Sequence, residues 1–129
     1  MVHVRVIYGN NLYGYSSWQK VMSLIAFFTF MTFFCQHRAR TADPGVVKPK
    51  SVELLDDASK VFKICNKCQA NRQNDQVNHC SSCGRCVELF DHHCLWVSNC
   101  VGKGNYKQFV LFLKYMFILT NINVYCMYY

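Results

Sequence analysis

Charge and proline are scarce in this 129-residue chain: 16% of residues are charged, seven are acidic and two are proline. A charged fraction well under the usual quarter, alongside ten Phe and eight Tyr, argues against a disordered tail or a highly charged nucleic-acid arm. Low-complexity segments are absent. No small-residue cleavage site follows the first apolar run, which begins some twenty residues in and ends in Phe33, Phe34 and Cys35, so a secretory signal fits poorly. The length allows at most one compact domain. An ordinary cytosolic globule also fits poorly, because two very apolar ends enclose a polar middle.

Val21 to Cys35 reads VMSLIAFFTFMTFFC without a charge, and Leu12 to Trp18 extends the apolar character upstream past Gln19 and Lys20. Phe109 to Tyr129 reads FVLFLKYMFILTNINVYCMYY, interrupted by Lys114, Asn121 and Asn123. A spanning helix needs about 20 mostly apolar residues, and snorkelling flanks extend shorter runs, so both segments are transmembrane candidates. A buried core helix, the alternative, has no other apolar partner here. Of fourteen Lys and Arg, eleven lie between residues 36 and 108, which places the middle in the cytosol by the positive-inside rule. A reducing compartment keeps thiols free and favours metal ligation over disulfides, and an odd count of nine cysteines fits disulfides poorly.

Asp43-Pro44-Gly45 is a turn signal, and Val61, Phe62 and Ile64 suit a short strand entering a metal knuckle. Seven cysteines and three histidines then fall within thirty-six residues. Cys65-x-x-Cys68 is followed after ten residues by His79 and after six more by Cys86. Cys80-x-x-Cys83 is followed after nine by His93 and after six by Cys100. Each copy is a set of three thiolates and one imidazole, the composition of a closed structural zinc site. The copies interleave, so His79 and Cys80 are neighbours serving different metals, a division natural in extended backbone where successive side chains point to opposite faces.

Two candidate ligands are left over, His92 and Cys94, flanking His93 and facing away from its metal. They are either spare ligands or a thiol and its base. In the second case the imidazole takes the proton of Cys94 and makes it a nucleophile, while Asp91 accepts the other ring N–H of His92. This is the logic of a Cys–His–Asp acyl-transfer centre. Beside a bilayer, the natural acyl donor is a long-chain thioester.

Asp91-His92-His93-Cys94 in a cysteine-rich domain resembles the DHHC protein S-acyltransferases, or palmitoyltransferases. The stretch HCSSCGRCVELFDHHCLWVSNCVGKGNYKQF, His79 to Phe109, is similar to the family core almost without gaps, including Asn105 and Phe109 of its N-x-x-x-F ending. Asp43-Pro44-Gly45 resembles the motif that comes after the family's second transmembrane helix, so the resemblance covers roughly residues 20–129. It implies transmembrane helices carrying a cytosolic domain of short β-hairpins that wraps two structural zinc ions. It also implies that Cys94 takes a fatty acyl group, typically palmitoyl, from acyl-CoA and passes it to client-protein cysteines, with His92 as base and Asp91 as its orienter. Trp96 resembles the family tryptophan near acyl-CoA, and Arg72 falls in the segment that would meet the CoA phosphates.

The chain departs from the family pattern in places. Four helices are usual, whereas only counterparts of the second and third occur here, so the chain is expected to be a fragment. Arg72-Gln73-Asn74-Asp75 replaces a Lys-Pro-x-Arg run, and Leu95 stands where proline is usual. Lys103 and Lys107 suit CoA phosphates, anionic headgroups or plain membrane anchoring. Asn105 suits a cap for the following helix, and Cys35 a buried spare thiol or a palmitoylated one.

The expected fold class is membrane α-helical: two apparent transmembrane helices with an intervening small cysteine-rich domain of short β-hairpins that binds two zincs. The expected divisions are a non-cytosolic segment 1–16, a transmembrane helix 17–36, a cytosolic connector 37–60, a zinc domain 61–108 and a second transmembrane helix 109–129. The expected function is protein-cysteine S-palmitoyl transfer, and the alternative is a catalytically incomplete membrane zinc module lacking an acyl cavity. A secreted disulfide protein is a third, lesser alternative. Expected partners are the bilayer, acyl-CoA and clients with membrane-proximal cysteines, without nucleic acid. The expected location is an endomembrane (Golgi or endoplasmic reticulum) or the plasma membrane.

Overall fold

A computed structural model describes residues 12–49, 63–72 and 76–128 of the chain. Residues 1–11 of the expected N-terminal segment, the connector from residue 50, Val61, Phe62 and Gln73-Asn74-Asp75 lie outside them. Helix α1 spans Leu12–Thr41 and helix α2 spans Tyr106–Tyr128, and between them the described residues form six strands paired as three antiparallel hairpins. These are β1 (Lys63–Ile64) with β2 (Asn71–Arg72), β3 (Val77–Cys80) with β4 (Arg85–Glu88), and β5 (His92–Cys94) with β6 (Asn99–Val101).

Among the described residues two helices are long and apolar enough to cross a membrane: Trp18–Thr41, with mean hydropathy 1.3, and Tyr106–Tyr128, with 1.5. They pack on each other through Phe28 against Tyr115 and the buried Phe112, but most of their apolar surface faces outward, including Phe27, Phe30, Phe33 and Phe117. A core helix of a water-soluble protein hides such side chains, whereas lipid solvates them. Three polar residues inside the spans donate to carbonyls one turn back. Thr32 Oγ1 donates to Phe28 O at 2.7 Å, Asn121 Nδ2 to Phe117 O at 2.7 Å, and Asn123 Nδ2 to Leu119 O at 2.8 Å. That removes the cost of carrying an unpaired donor into hydrocarbon. At its far end α1 stays helical through Arg38 and Arg40, whose positive charges suit the negative end of the helix dipole.

Hairpins this short are marginal alone. Three small clusters hold them: Cys65, Ala70, Val77 and Cys86; Cys80, Val87 and Cys100; and Cys94, Val97 and Val101 with Cys35 and Ala39 of α1 and Phe112 of α2. The Asp43-Pro44-Gly45 turn joins helix to hairpins. Asp43 Oδ1 accepts the N–H groups of Gly45 and Val46, each at 2.9 Å, Val46 bridges Val87 on the edge of β4, and Gly104 N–H donates to Pro44 O at 3.1 Å. A Cβ on Gly104 would overlap the Asp43 carbonyl oxygen, so the turn seats against α2's lead-in only because that residue has no side chain.

Candidate metal centres and active site

The hairpin register brings the spaced cysteines and histidines together. His79 lies directly opposite Cys86, and His93 directly opposite Cys100, so each β-ladder supplies one imidazole and one thiol, while the tight turn of the hairpin before it supplies a C-x-x-C pair. The ligand atoms of Cys65, Cys68, His79 and Cys86 all lie within 4.8 Å of one another, as do those of Cys80, Cys83, His93 and Cys100. In a tetrahedral zinc site, bond lengths of about 2.3 Å to sulfur and about 2.05 Å to nitrogen give S···S edges of about 3.8 Å and S···N edges of about 3.6 Å. The first cluster shows 3.6 Å for Cys65 Sγ to His79 Nδ1, 3.5 Å for Cys68 Sγ to Cys86 Sγ and 3.9 Å for Cys86 Sγ to His79 Nδ1. In the second, His93 Nδ1 is 3.8, 3.3 and 3.8 Å from the sulfurs of Cys80, Cys83 and Cys100. All nine cysteines are free. The spacing and donor chemistry fit two zinc ions, and the clusters can hold them.

The electrostatics of the thiols agree. The Cys65 thiol is lowered to about 6 by the backbone N–H groups of Lys67 and Cys68, while burial and then its sulfur neighbours Cys68 and Cys65 push Cys86 up to about 12. Three thiolates packed this closely repel one another, and a bound dication is what lets all three ionise.

Next to the second cluster, β5 carries the residues left over by the duplication. His92 and Cys94 alternate with His93 along the strand and so share its other face. His92 Nδ1 lies 3.3 Å from Asp91 Oδ2, and the His92 ring stands edge-on to Phe109 at 5.3 Å between centroids. Cys94 is 4% exposed, its side chain packed where β5 and β6 meet the helices, among Cys35, Ala39 and Phe112.

Comparison with known proteins agrees with this geometry, since the sequence profile of the DHHC palmitoyltransferase family matches residues 58–129. The chain belongs to that family. It is similar to "Probable protein S-acyltransferase 13" of Arabidopsis thaliana, 48% identical over 67 residues, covering 52% of this chain and 22% of the relative. It is also similar to "Probable protein S-acyltransferase 14" of the same plant, 36% identical over 124 residues (79% of this chain, 40% of the relative). To "Palmitoyltransferase ZDHHC3" of Homo sapiens it is 40% identical over 107 residues (78% and 34%). The chain thus spans less than half the length of the curated relatives it matches.

Within the DHHC domain the structure shows the same turn three times. In all three hairpins the first cysteine of the turn lies opposite the residue five positions on, and the residue four positions on has positive φ: Gln69 at 56°, Gly84 at 64° and Ser98 at 49°. Cys94 therefore occupies the place of Cys65 and Cys80, and Val97 the place of Cys68 and Cys83. Sequence reasoning missed this third copy, although the steps of fifteen and fourteen residues from Cys65 to Cys80 to Cys94 carry its signal.

Asn99 and Asn105, both buried, fix that third hairpin to α1. Asn99 Nδ2 donates to the carbonyls of Ala39, Arg40 and Ala42 at 3.3, 3.0 and 2.9 Å, and its Oδ1 accepts the N–H of the ligand Cys100. The Asn105 side chain reaches backward, Nδ2 donating to Ala39 O at 3.0 Å and to Cys100 O at 2.8 Å while Oδ1 accepts Gly102 N–H. It ties off the preceding helix, which corrects the expectation of a side-chain cap for the following one. Of the residues expected near acyl-CoA, Trp96 is exposed at the tip of the hairpin and its carbonyl accepts Gln36 Nε2. Arg72 donates to Val77 O at 2.7 Å and Asn78 Oδ1 at 3.2 Å, and Lys103 pairs with Glu88 at 2.6 Å.

Proposed function

We propose that this chain is the core of a protein-cysteine S-acyltransferase that works at the cytosolic face of a membrane. Cys94 is the nucleophile, His92 the base and Asp91 its orienter. The observation that carries the assignment is that Asp91 and His92 stand 3.3 Å apart while Cys94 shares the His92 face of β5, all three outside both metal-binding sets.

His92 takes the proton of the Cys94 thiol, and the thiolate attacks the carbonyl carbon of a long-chain acyl-CoA. The new C–S bond forms as the bond to CoA breaks, and the CoA sulfur leaves with the proton held by His92. A client thiol then attacks the acyl-Cys94 thioester, His92 receives its proton, and Cys94 is released with a proton returned. The Asp91 carboxylate holds the His92 ring in the tautomer whose free nitrogen can accept. The buried walls around Cys94 keep water from the thioester. Cys65, Cys68, His79 and Cys86, and Cys80, Cys83, His93 and Cys100, would each hold one structural zinc, which braces the hairpins and takes no part in the transfer. Trp96, Lys103 and Arg72 are the residues proposed to border acyl-CoA. Eleven of fourteen basic residues between 36 and 108 support a cytosolic zinc domain, on an endomembrane or the plasma membrane.

The test is labelling of the membrane-reconstituted chain with palmitoyl-CoA, then treatment with neutral hydroxylamine. A hydroxylamine-labile label that disappears in Cys94→Ser and whose rate of formation falls about a hundredfold or more in His92→Ala, the range ascribed to general bases, is the expected result. Zinc-loaded protein that takes no label would make the chain a metal module without acyl transfer.

A further inference from the structure

Where α1 ends, the Asp43-Pro44-Gly45 turn and the third hairpin enclose a recess of about 530 Å³, apart from the buried cluster around Cys94. Three cations border it: Arg40 from the last turn of α1, Lys48 from beyond the turn and Arg85 from the start of β4. Its carboxylate, Asp43, is turned onto its own backbone, accepting from Gly45 and Val46. Neither Arg40 nor Lys48 forms an ion pair with a described residue. The Nε–H of Arg85 is shielded from solvent and has no acceptor among the described residues, a donor in want of an oxygen. The end of a helix dipole would ordinarily repel an anion here. That repulsion is weakened because Asn99 Nδ2 already holds the carbonyls of Ala39 and Arg40 in the last turn of α1 and of Ala42 just beyond it.

The position and the charge select the ligand. Arg40 and Thr41 close the apolar span Trp18–Thr41, so the recess lies at the depth where hydrocarbon gives way to headgroups. Three cations against one carboxylate leave a net charge of about +2, which matches a phosphomonoester of about −1.5 to −2 better than a singly charged phosphodiester. We propose that this recess binds the phosphomonoester headgroup of an anionic membrane lipid and so fixes the depth of the hairpins at the bilayer surface.

The experiment uses the full chain in phosphatidylcholine nanodiscs doped with phosphatidic acid or with phosphatidylglycerol, bound lipid being counted by native mass spectrometry. One saturable phosphatidic acid is expected, preferred over phosphatidylglycerol. Arg85→Gln and the pair Arg40→Gln/Lys48→Gln should each weaken it at least about fivefold, while Lys107→Gln, basic but outside the recess, leaves it unchanged. Should Arg85→Gln lose zinc through its neighbour Cys86, the Arg40→Gln/Lys48→Gln pair, off the metal domain, decides. Equal binding of both lipids, equal weakening by Lys107→Gln, or displacement of the lipid by soluble CoA would each overturn the proposal.

Discussion

Hairpins β3–β4 and β5–β6 share one turn and carry different chemistry. Cys80 lies opposite Arg85 with Gly84 at positive φ, and Cys94 lies opposite Asn99 with Ser98 at positive φ. They differ at the fourth position of the turn, Cys83 against Val97, and in the elements packed against it. The first turn is met by a further hairpin that offers His93 and Cys100, whereas the second is met by α1 and α2, which offer Cys35, Ala39 and Phe112. The same backbone thus presents a thiol either to a metal-binding set or to an apolar cluster beside the two helices. The neighbouring element decides which.

The comparison breaks most completely at that fourth position. Cys83→Ser should remove one of two zinc equivalents by elemental analysis and unfold both later hairpins by circular dichroism, because structural zinc contributes on the order of 10 kcal/mol. Val97→Ser, at the matching place, should keep both zincs and cost about 2 kcal/mol for the buried hydroxyl, seen as a lower thermal midpoint. Gly104→Ala should cost about 3 kcal/mol by forcing the Asp43-Pro44-Gly45 turn off α2's lead-in, read by thermal unfolding with zinc content as control. Asn99→Ala should cost about 2 kcal/mol and expose the end of α1 to hydrogen exchange, because its amide holds three carbonyls that Arg85, its counterpart in β3–β4, does not.

The smallest effect lies with pH. The N–H groups of Val46 and then Gly45 hold the Asp43 carboxyl below the usual carboxylate range, helped by Arg85 and Lys48. A depressed pKa contributes stability that is fully present above the unfolded value of about 3.9 and is lost as pH falls through the lower folded value. Asp43→Asn should therefore flatten the acid limb of the stability curve below about pH 4. An unchanged limb in urea titrations would separate the turn from the metal domain.

Much of this was legible in the sequence for simple reasons. Ligand spacing survives folding, so Cys65, Cys68, His79 and Cys86, with their interleaved copy, could be grouped without coordinates. Long apolar runs likewise announced both helices. The third turn was legible only in the similar steps from Cys65 to Cys80 to Cys94, because Val97 is not a cysteine, and Gln69 and Ser98 take the positive φ that a glycine would have advertised. The partners of Asn99, Asn105, Arg72 and Lys103 were not legible, since they depend on which elements meet, and no local period encodes that. Gly102 and Gly104 mark close backbone approach, which also depends on a segment some sixty residues away, the Asp43-Pro44-Gly45 turn.

The central claim is that Cys94 sits on a metal knuckle's turn without being a metal ligand. Zinc stoichiometry of the purified Cys94→Ser chain tests it most directly. Two equivalents per chain, as in the unaltered protein, is the predicted result. Loss of one equivalent would contradict the account and return Cys94 to the ligand set.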